Sequence, residues 1–178
     1  YYLEQDSKFV NIRSAYVEHI EKMFALANFD LKNSDAKTIL DLETRLAENH
    51  LRKEETRDMT KMYNPQTRVE LTALSKTILW NTLLEESGIP DLEILIVGQP
   101  TYVTALDSIL NETPLSDWKL WLRWAVLNKY AGSLTQALDK QNFNFYSTTL
   151  NGTEEQRPMW RRGVVLVNGV VGELVGKV

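Results

Sequence analysis

The sequence predicts a mainly α fold, a multi-helix assembly with at most one or two short strands. Three observations lead there. Apolar residues recur at helical spacing through most of the chain. Thr113 to Tyr130 packs three of the five Trp residues, Trp118, Trp121 and Trp124, into seven positions. A single short run, Leu92 to Val97, has the β-branched character of a strand.

The elements follow in order. From Asp6 to about Asn28, the residues Phe9, Ile12, Tyr16, Ile20, Met23, Phe24 and Ala27 repeat at helical spacing, with Asp6 or Ser7 as the cap. After the loop FDLKN, Ser34 is placed to cap a second helix with Asp35 in its first turn. Its apolar stripe is Ile39, Leu42 and Leu46. The opposite face offers Asp41–Arg45 and Glu48–Arg52 at i,i+4, and charges run on to Asp58. Asn64-Pro65 breaks the chain. Val69 to Leu74 and Trp80 to Ser87 read as short helices, and Gly88-Ile89-Pro90 as a turn. The strand Leu92–Val97 closes at Gly98 and Pro100. It has no equally strong mate, so part of its sheet is expected outside these residues.

Thr101 to Leu110 is a further helix. The Trp helix follows, with Pro114 and Asp117 as start signals. At 100° per residue its three Trp cover about 120° of the surface, with Leu120 and Leu122 about 40° beyond its two edges and Leu127 and Val126 farther round. A helix apolar round most of its circumference is a buried one, so this is expected to be the central helix of the core. Ser133 to Leu150 is expected to be one helix ended by Asn151-Gly152. Glu154 to Val178 also reads as helical, against its Val content and four glycines.

The 178 residues suit one domain or a large piece of one. The net charge of −4 argues against nucleic acid as the main partner, because phosphate binding needs a basic surface. With no Cys, disulfides, thiol catalysis and Cys-ligated metal are excluded, although the compartment is not fixed. No uncharged apolar run reaches membrane-spanning length. The chain starts at Tyr1 without a leader-like segment and stops at Val178 inside an apolar-periodic stretch. Both ends read as cut, so a piece of a longer protein is expected.

Few residues offer chemistry. Of the two His, His19 shares a helical face with Ile12, Tyr16 and Met23, and reads as a packed ring with a hydrogen bond. His50 follows Leu46 by one turn on a charged helix and reads as a boundary residue. Neither belongs to an HExxH zinc motif. GELVGK, Gly172 to Lys177, mimics a phosphate loop but has only three residues between its glycines, and Val178 stands where magnesium would need Ser or Thr. Close helix packing is the preferred account of those glycines. The acidic runs Glu54-Glu55, Glu85-Glu86 and Glu154-Glu155 read as solvated faces. Asn111 and Asn151 open formal glycosylation sequons.

Several blocks point further. They are Tyr1-Tyr2-Leu3 with the Tyr16 helix; LETRLAE, Leu42 to Glu48; Arg57-Asp58 with Tyr63-Asn64; VGQP, Val97 to Pro100; TPLSDWKLWLRW, Thr113 to Trp124; and NFNFYSTTLNGTEEQRPMWRR, Asn142 to Arg162. Together, in this order, they resemble the N-terminal part of the neprilysin family of zinc metallopeptidases, which includes endothelin-converting enzyme and bacterial oligopeptidase O. The pairing of the Trp helix with QRPMW is the most specific part.

The resemblance implies two mainly helical lobes around a closed cavity. The larger lobe would carry HExxH, a downstream glutamate ligand and an Asn-Ala-Tyr-type strand. None of these occurs here, so no catalytic or metal-binding residue is carried over, and no cofactor is expected within 1–178. Zinc would belong to the missing catalytic lobe. Residues 1–178 would form much of the smaller, cap lobe, which covers the active site and restricts entry to peptides and small polypeptides. The partners implied are that catalytic lobe and peptide substrates cleaved on the amino side of hydrophobic residues; the chain alone would be inactive. Where animal members place a Cys this chain has Gly163, so it resembles bacterial members. An extracytoplasmic location is implied as well. Arg57, Asp58, Gln156 and Arg157, beside Tyr63 and Trp160, are candidates for holding loops at the lobe junction; local caps and salt bridges are the alternative. A stand-alone, non-catalytic helical interaction module also fits the composition. A small catalytic domain in its own right has no constellation to support it.

Overall fold

The computed structural model describes residues 1–176. Its order is α1 (Ser7–Leu26), α2 (Asp35–Glu48), a 3-10 turn (Glu55–Arg57), α3 (Met59–Met62), β1 (Pro65–Thr67), α4 (Arg68–Leu74), α5 (Trp80–Glu86), β2 (Ile94–Ile96), α6 (Pro100–Glu112), α7 (Leu115–Tyr130), a second 3-10 turn (Ala131–Ser133), α8 (Gln136–Phe143), a π-helix (Asn144–Thr149) and α9 (Met159–Val175). The fold is mainly α, as the sequence predicts.

Two clusters of buried side chains hold it. The larger joins Tyr16, Ile20, Met23 and Phe24 of α1 to Ala36 and Ile39 of α2, Trp124 and Leu127 of α7, Leu138 of α8 and Phe145 of the π-helix. The smaller gathers Leu71 of α4, Trp80 of α5 and Val97 beside β2, with Ile78, Leu95 and Val103 packed on it. The first is assembled from both ends of the sequence. The second lies wholly within the segment between α2 and α7.

Local chemistry sets most boundaries. Asp6 caps α1, accepting from the Lys8 N–H at 2.8 Å. Thr67, the last residue of β1, is also the cap of α4. Its N–H donates to the Glu70 carboxylate at 2.7 Å while its Oγ1 accepts from the Glu70 N–H, a reciprocal box that turns strand directly into helix. Thr135 caps α8.

Several expectations are corrected. The mate of β2 is within the chain: β1 pairs with it antiparallel, Pro65 opposite Ile96 and Thr67 opposite Ile94. Pro65 lacks an N–H, and β1 is polar and short, so the Asn64-Pro65 break concealed a strand. Asn64 extends the ribbon, its C=O accepting from the Val97 N–H at 2.9 Å and its side chain donating to the Val97 C=O at 3.1 Å. Ser34 makes no side-chain cap, because its backbone is already helical; Asp35 accepts from the Lys32 N–H instead. Arg45 pairs not with Asp41 but across to Glu112 at 2.8 Å, and Arg52 lies beyond the end of α2.

The predicted helix Ser133–Leu150 is broken at Leu134 and changes pitch at Asn144. The wider π turn brings the neighbours Phe145 and Tyr146 both against His19, with ring centroids 4.7 and 5.5 Å away. The Trp helix is buried on one face only. Trp124 and Leu127 are inside, whereas Leu115, Leu122, Val126 and Tyr130 are half or more exposed. The last helix starts at Met159, after Pro158, rather than at Glu154. Of the phosphate-loop mimic, Lys177 and Val178 lie outside the described residues.

Candidate functional site

The most concentrated polar chemistry lies where α1, α2 and α7 meet the first residues of the chain. Glu43 of α2 sits among apolar neighbours and accepts three hydrogen bonds. Tyr2 and Tyr16 donate their hydroxyls to its Oε2 at 3.0 and 2.9 Å, and Trp121 donates its indole N–H to Oε1 at 3.2 Å. Trp124 donates in turn to the Tyr16 hydroxyl at 2.8 Å. Burial pushes the Glu43 carboxyl up, and the three donors pull it partly back. Burial, followed by the Glu43 charge, pushes the Tyr2 and Tyr16 hydroxyls up, so both remain donors. Among the described residues no cation enters this set. It clamps the first residues to three helices through neutral donors on one carboxylate. Arg13 adds to the clamp from α1, donating to the C=O groups of Tyr1 and Glu4, each at 2.8 Å.

His19 lies next to this network, 1% exposed. Its ring stacks on Phe145 at 9° between planes and meets Trp124 edge-on at 5.5 Å. Nδ1 faces the Gln141 amide at 3.2 Å, and Nε2 has no partner. Burial, and to a lesser degree the Lys22 charge, lowers its pKa to about 4. This is the packed histidine the sequence suggests. His50 is at the surface, stacked on Tyr102 at 3.9 Å with Nδ1 3.3 Å from the Gln99 amide oxygen.

A second buried carboxylate is Asp139, in the first turn of α8. Its Oδ1 accepts from Gln156 at 2.9 Å and from the Arg162 guanidinium at 2.8 Å. Arg162 also donates to the Arg157 C=O at 3.2 Å. This pair ties the start of α9 to α8 beside a cleft of about 270 Å³ lined also by Lys140, Phe143 and Glu154. Asp139→Ala would strand two donors and is expected to cost about 2 kcal/mol. Urea denaturation would measure the loss, and hydrogen exchange should show the first turns of α9 loosened.

The four junction candidates are not brought together. Asp58 caps α3, accepting from the N–H and hydroxyl of Thr60 at 3.0 and 2.6 Å. Those bonds hold its carboxyl below the usual range. Gln156 serves Asp139. Arg57 and Arg157 are exposed, and among the described residues neither guanidinium has a hydrogen-bond partner. The first two therefore do local work, whereas the arginines are available.

Glu43, Asp139 and Arg162 are absent from the candidates drawn from sequence. Glu43 left a signal, a carboxylate one turn from both Ile39 and Leu46 in the apolar stripe of α2. Asp139 left none. Among the described residues no group of three His, Asp or Glu side chains is placed to hold a metal, and no helix is long and apolar enough to cross a membrane.

Comparison with known proteins bears on this arrangement. A family model described as Peptidase family M13 matches residues 1–178. Membrane metallo-endopeptidase-like 1 of Mus musculus is 25% identical over 193 residues, covering 99% of this chain and 25% of its own length. An endothelin-converting enzyme homolog of Locusta migratoria is 27% identical, covering 93% of this chain and 24% of its own. Among solved structures, zinc metalloprotease ZMP1 of Mycobacterium tuberculosis in its open state superimposes with a TM-score of 0.90 at 34% identity, over 97% of this chain and 28% of that one. The chain therefore spans about a quarter of the length of the relatives it matches.

Proposed function

This chain belongs to peptidase family M13, and on that premise we propose that it forms most of the smaller, cap lobe of a two-lobed zinc metalloendopeptidase. The observation that carries the reading is the match along the whole chain to the family, joined to its close superposition on a quarter of a solved zinc metalloprotease. In the proposed enzyme the zinc belongs to the other lobe, where it would polarise the scissile carbonyl and activate a water. Residues 1–178 supply no ligand and no general base. They supply shape: a helical wall, clamped at Glu43 and Asp139, that closes over the cavity and admits peptides while excluding folded proteins. Opening between the lobes would gate entry. An extracytoplasmic site of action belongs to the same proposal, and the name of one relative, Membrane metallo-endopeptidase-like 1, supports a membrane association.

Arg57 and Arg157 are the residues proposed to hold the lobe junction, since both guanidinium groups are exposed and unengaged among the described residues. Asp58 and Gln156 would support them by fixing the adjoining backbone. Wild-type peptidase activity and thermal midpoint in both Arg57→Ala and Arg157→Ala full-length enzymes would remove this role.

The full-length protein is expected to hold about one zinc and to cleave short peptides but not a folded protein of similar sequence content. The 178-residue chain is expected to hold none and cleave neither. Metal analysis of both preparations, with a fluorogenic peptide assay, tests this; one equivalent of zinc on the short chain would overturn the assignment of chemistry to the other lobe.

A further inference from the structure

The two buried clusters share no side chain. The main one draws only on residues 15–40 and 120–150, and the smaller only on residues 71–103. Between α2 and α7 the chain is bound mostly to itself. β1 pairs with β2, Arg68 of α4 donates to the Leu92 C=O at 3.1 Å, and Trp80 of α5 donates to the Ser75 C=O at 3.0 Å. Asp107 of α6 accepts from the Ser75 hydroxyl at 2.6 Å and from the Thr77 N–H at 2.8 Å. These bonds make one body of α4, α5, α6 and the ribbon. It joins the rest of the molecule at two crossings, residues 49–51 and 113–114, both outside helices. The crossings lie side by side, because Arg45, one turn before the first, donates to Thr113 Oγ1 at 3.1 Å. Arg45 also holds Glu112 at 2.8 Å, an ion pair open to solvent on both sides. At the first crossing the Leu51 N–H donates to Gln99 Oε1 at 2.9 Å, with His50 Nδ1 3.3 Å from the same oxygen and its ring on Tyr102. Among the described residues no other hydrogen bond links the two bodies. α2 and α6 touch, and Leu42 and Ile109 on those helices are buried without joining either cluster.

We infer that residues 51–113 form a flap that turns as one body on the paired crossings, with Arg45 and Gln99 as its latch. Bodies that share no core and meet through a polar seam move relative to one another, and adjacent crossings define the axis. An exposed ion pair resists that motion only weakly. The ring of Pro114 fixes its φ, so the second crossing turns at Thr113, which is extended. A difference among structures of one relative lies at the same level. ZMP1 superimposes on this chain with a TM-score of 0.90 in its open state and in its inhibitor complex, and of 0.79 in a partial open state. Each match covers 97% of this chain, so the difference lies within the matched stretch. The flap motion is internal to these residues. It is separate from any opening between lobes, and it does not rest on the enzyme reading.

The test measures distances in the full-length protein by pulsed electron spin resonance. Spin labels are carried on a ketone-bearing unnatural amino acid at the exposed positions Lys22, Glu86 and Arg123, two at a time. Lys22 with Arg123 lies within the main body, and Glu86 with Arg123 spans the seam. In the wild type the spanning pair should give the broader distance distribution. Arg45→Gln should widen the spanning distribution by about twofold and leave the internal pair as it was. Glu112→Gln removes the same ion pair from the flap side and should widen it in the same direction, so it decides the matter should Arg45→Gln fail to fold. A spanning distribution as narrow as the internal one, unmoved by either substitution, would overturn the inference. So would equal widening of both pairs, which would mean that the latch residues hold the whole fold and not a hinge.

Discussion

Trp124→Ala should destabilise the 178-residue chain by about 3–5 kcal/mol, the range for deleting a fully buried aromatic ring. Trp124 is 1% exposed and packs among three rings of α1, lying 6.1 Å from Phe24, 5.9 Å from Tyr16 and 5.5 Å from His19. The substitution also removes the indole N–H that donates to Tyr16, one step from the Glu43 carboxylate. The loss should appear as a lower urea midpoint with near-UV circular dichroism reduced beyond one chromophore's share. Trp160→Ala is the control: on an exposed helix surface it should stay within about 0.5 kcal/mol. Equal losses in the two variants would mean that the ring is not the centre of the core.

The second large effect is acid destabilisation through His19. Burial favours its neutral form, lowering the pKa from 6.5 to about 4. Between these values the unfolded chain binds a proton that the fold does not. Stability is therefore complete above about pH 6.5 and falls as the pH drops toward 4. At 1.36 kcal/mol per unit the full interval amounts to about 3 kcal/mol. Glu43 acts in the opposite sense. Its raised pKa means that stability present below 4.5 is lost as the pH rises through the folded value. The cleanest readout is thus the difference between the wild type and His19→Gln in denaturation midpoints across pH 4–7. That difference should shrink toward acid. A wild-type slope unchanged by the substitution would show that His19 titrates normally.

Much of the fold is legible in the residues because its signals are local. The Phe9–Ala27 repeat, the Asp6 cap and the Pro114 boundary of α7 each depend on neighbours within a turn or two. The misses share a cause, since each depends on a partner far along the chain. β1 is a strand only because Val97 and Ile96 lie opposite Asn64 and Pro65. The π turn follows from packing Phe145 and Tyr146 on a histidine more than 120 positions earlier, near the distance at which Gln141 reaches the same ring. The Trp helix misled for a different reason. Its apolar residues outnumber what this core can cover, and periodicity does not say how much of a face finds a partner. At the candidate site the residue types beside the family-like aromatics were visible in sequence. Which of them are already engaged was not: Asp58 and Gln156 are occupied locally, and Arg57 and Arg157 are not.

The two-cluster layout also carries a consequence for synthesis. Tyr16 and Trp124, which bond directly, are 108 residues apart. At about 5–20 residues per second, α1 leaves the ribosome roughly 5–20 seconds before Trp124 does, and Leu138 and Phe145 of the same cluster come later still. The small cluster of Leu71, Trp80 and Val97 lies wholly inside that interval and needs nothing made later than α6. It can close first, while Ile20, Met23 and Phe24 have only α2 to pack against on the nascent chain. For those seconds the first helix is a client for whatever shields apolar surface at the ribosome exit, until α7, α8 and the π-helix arrive to close the cluster.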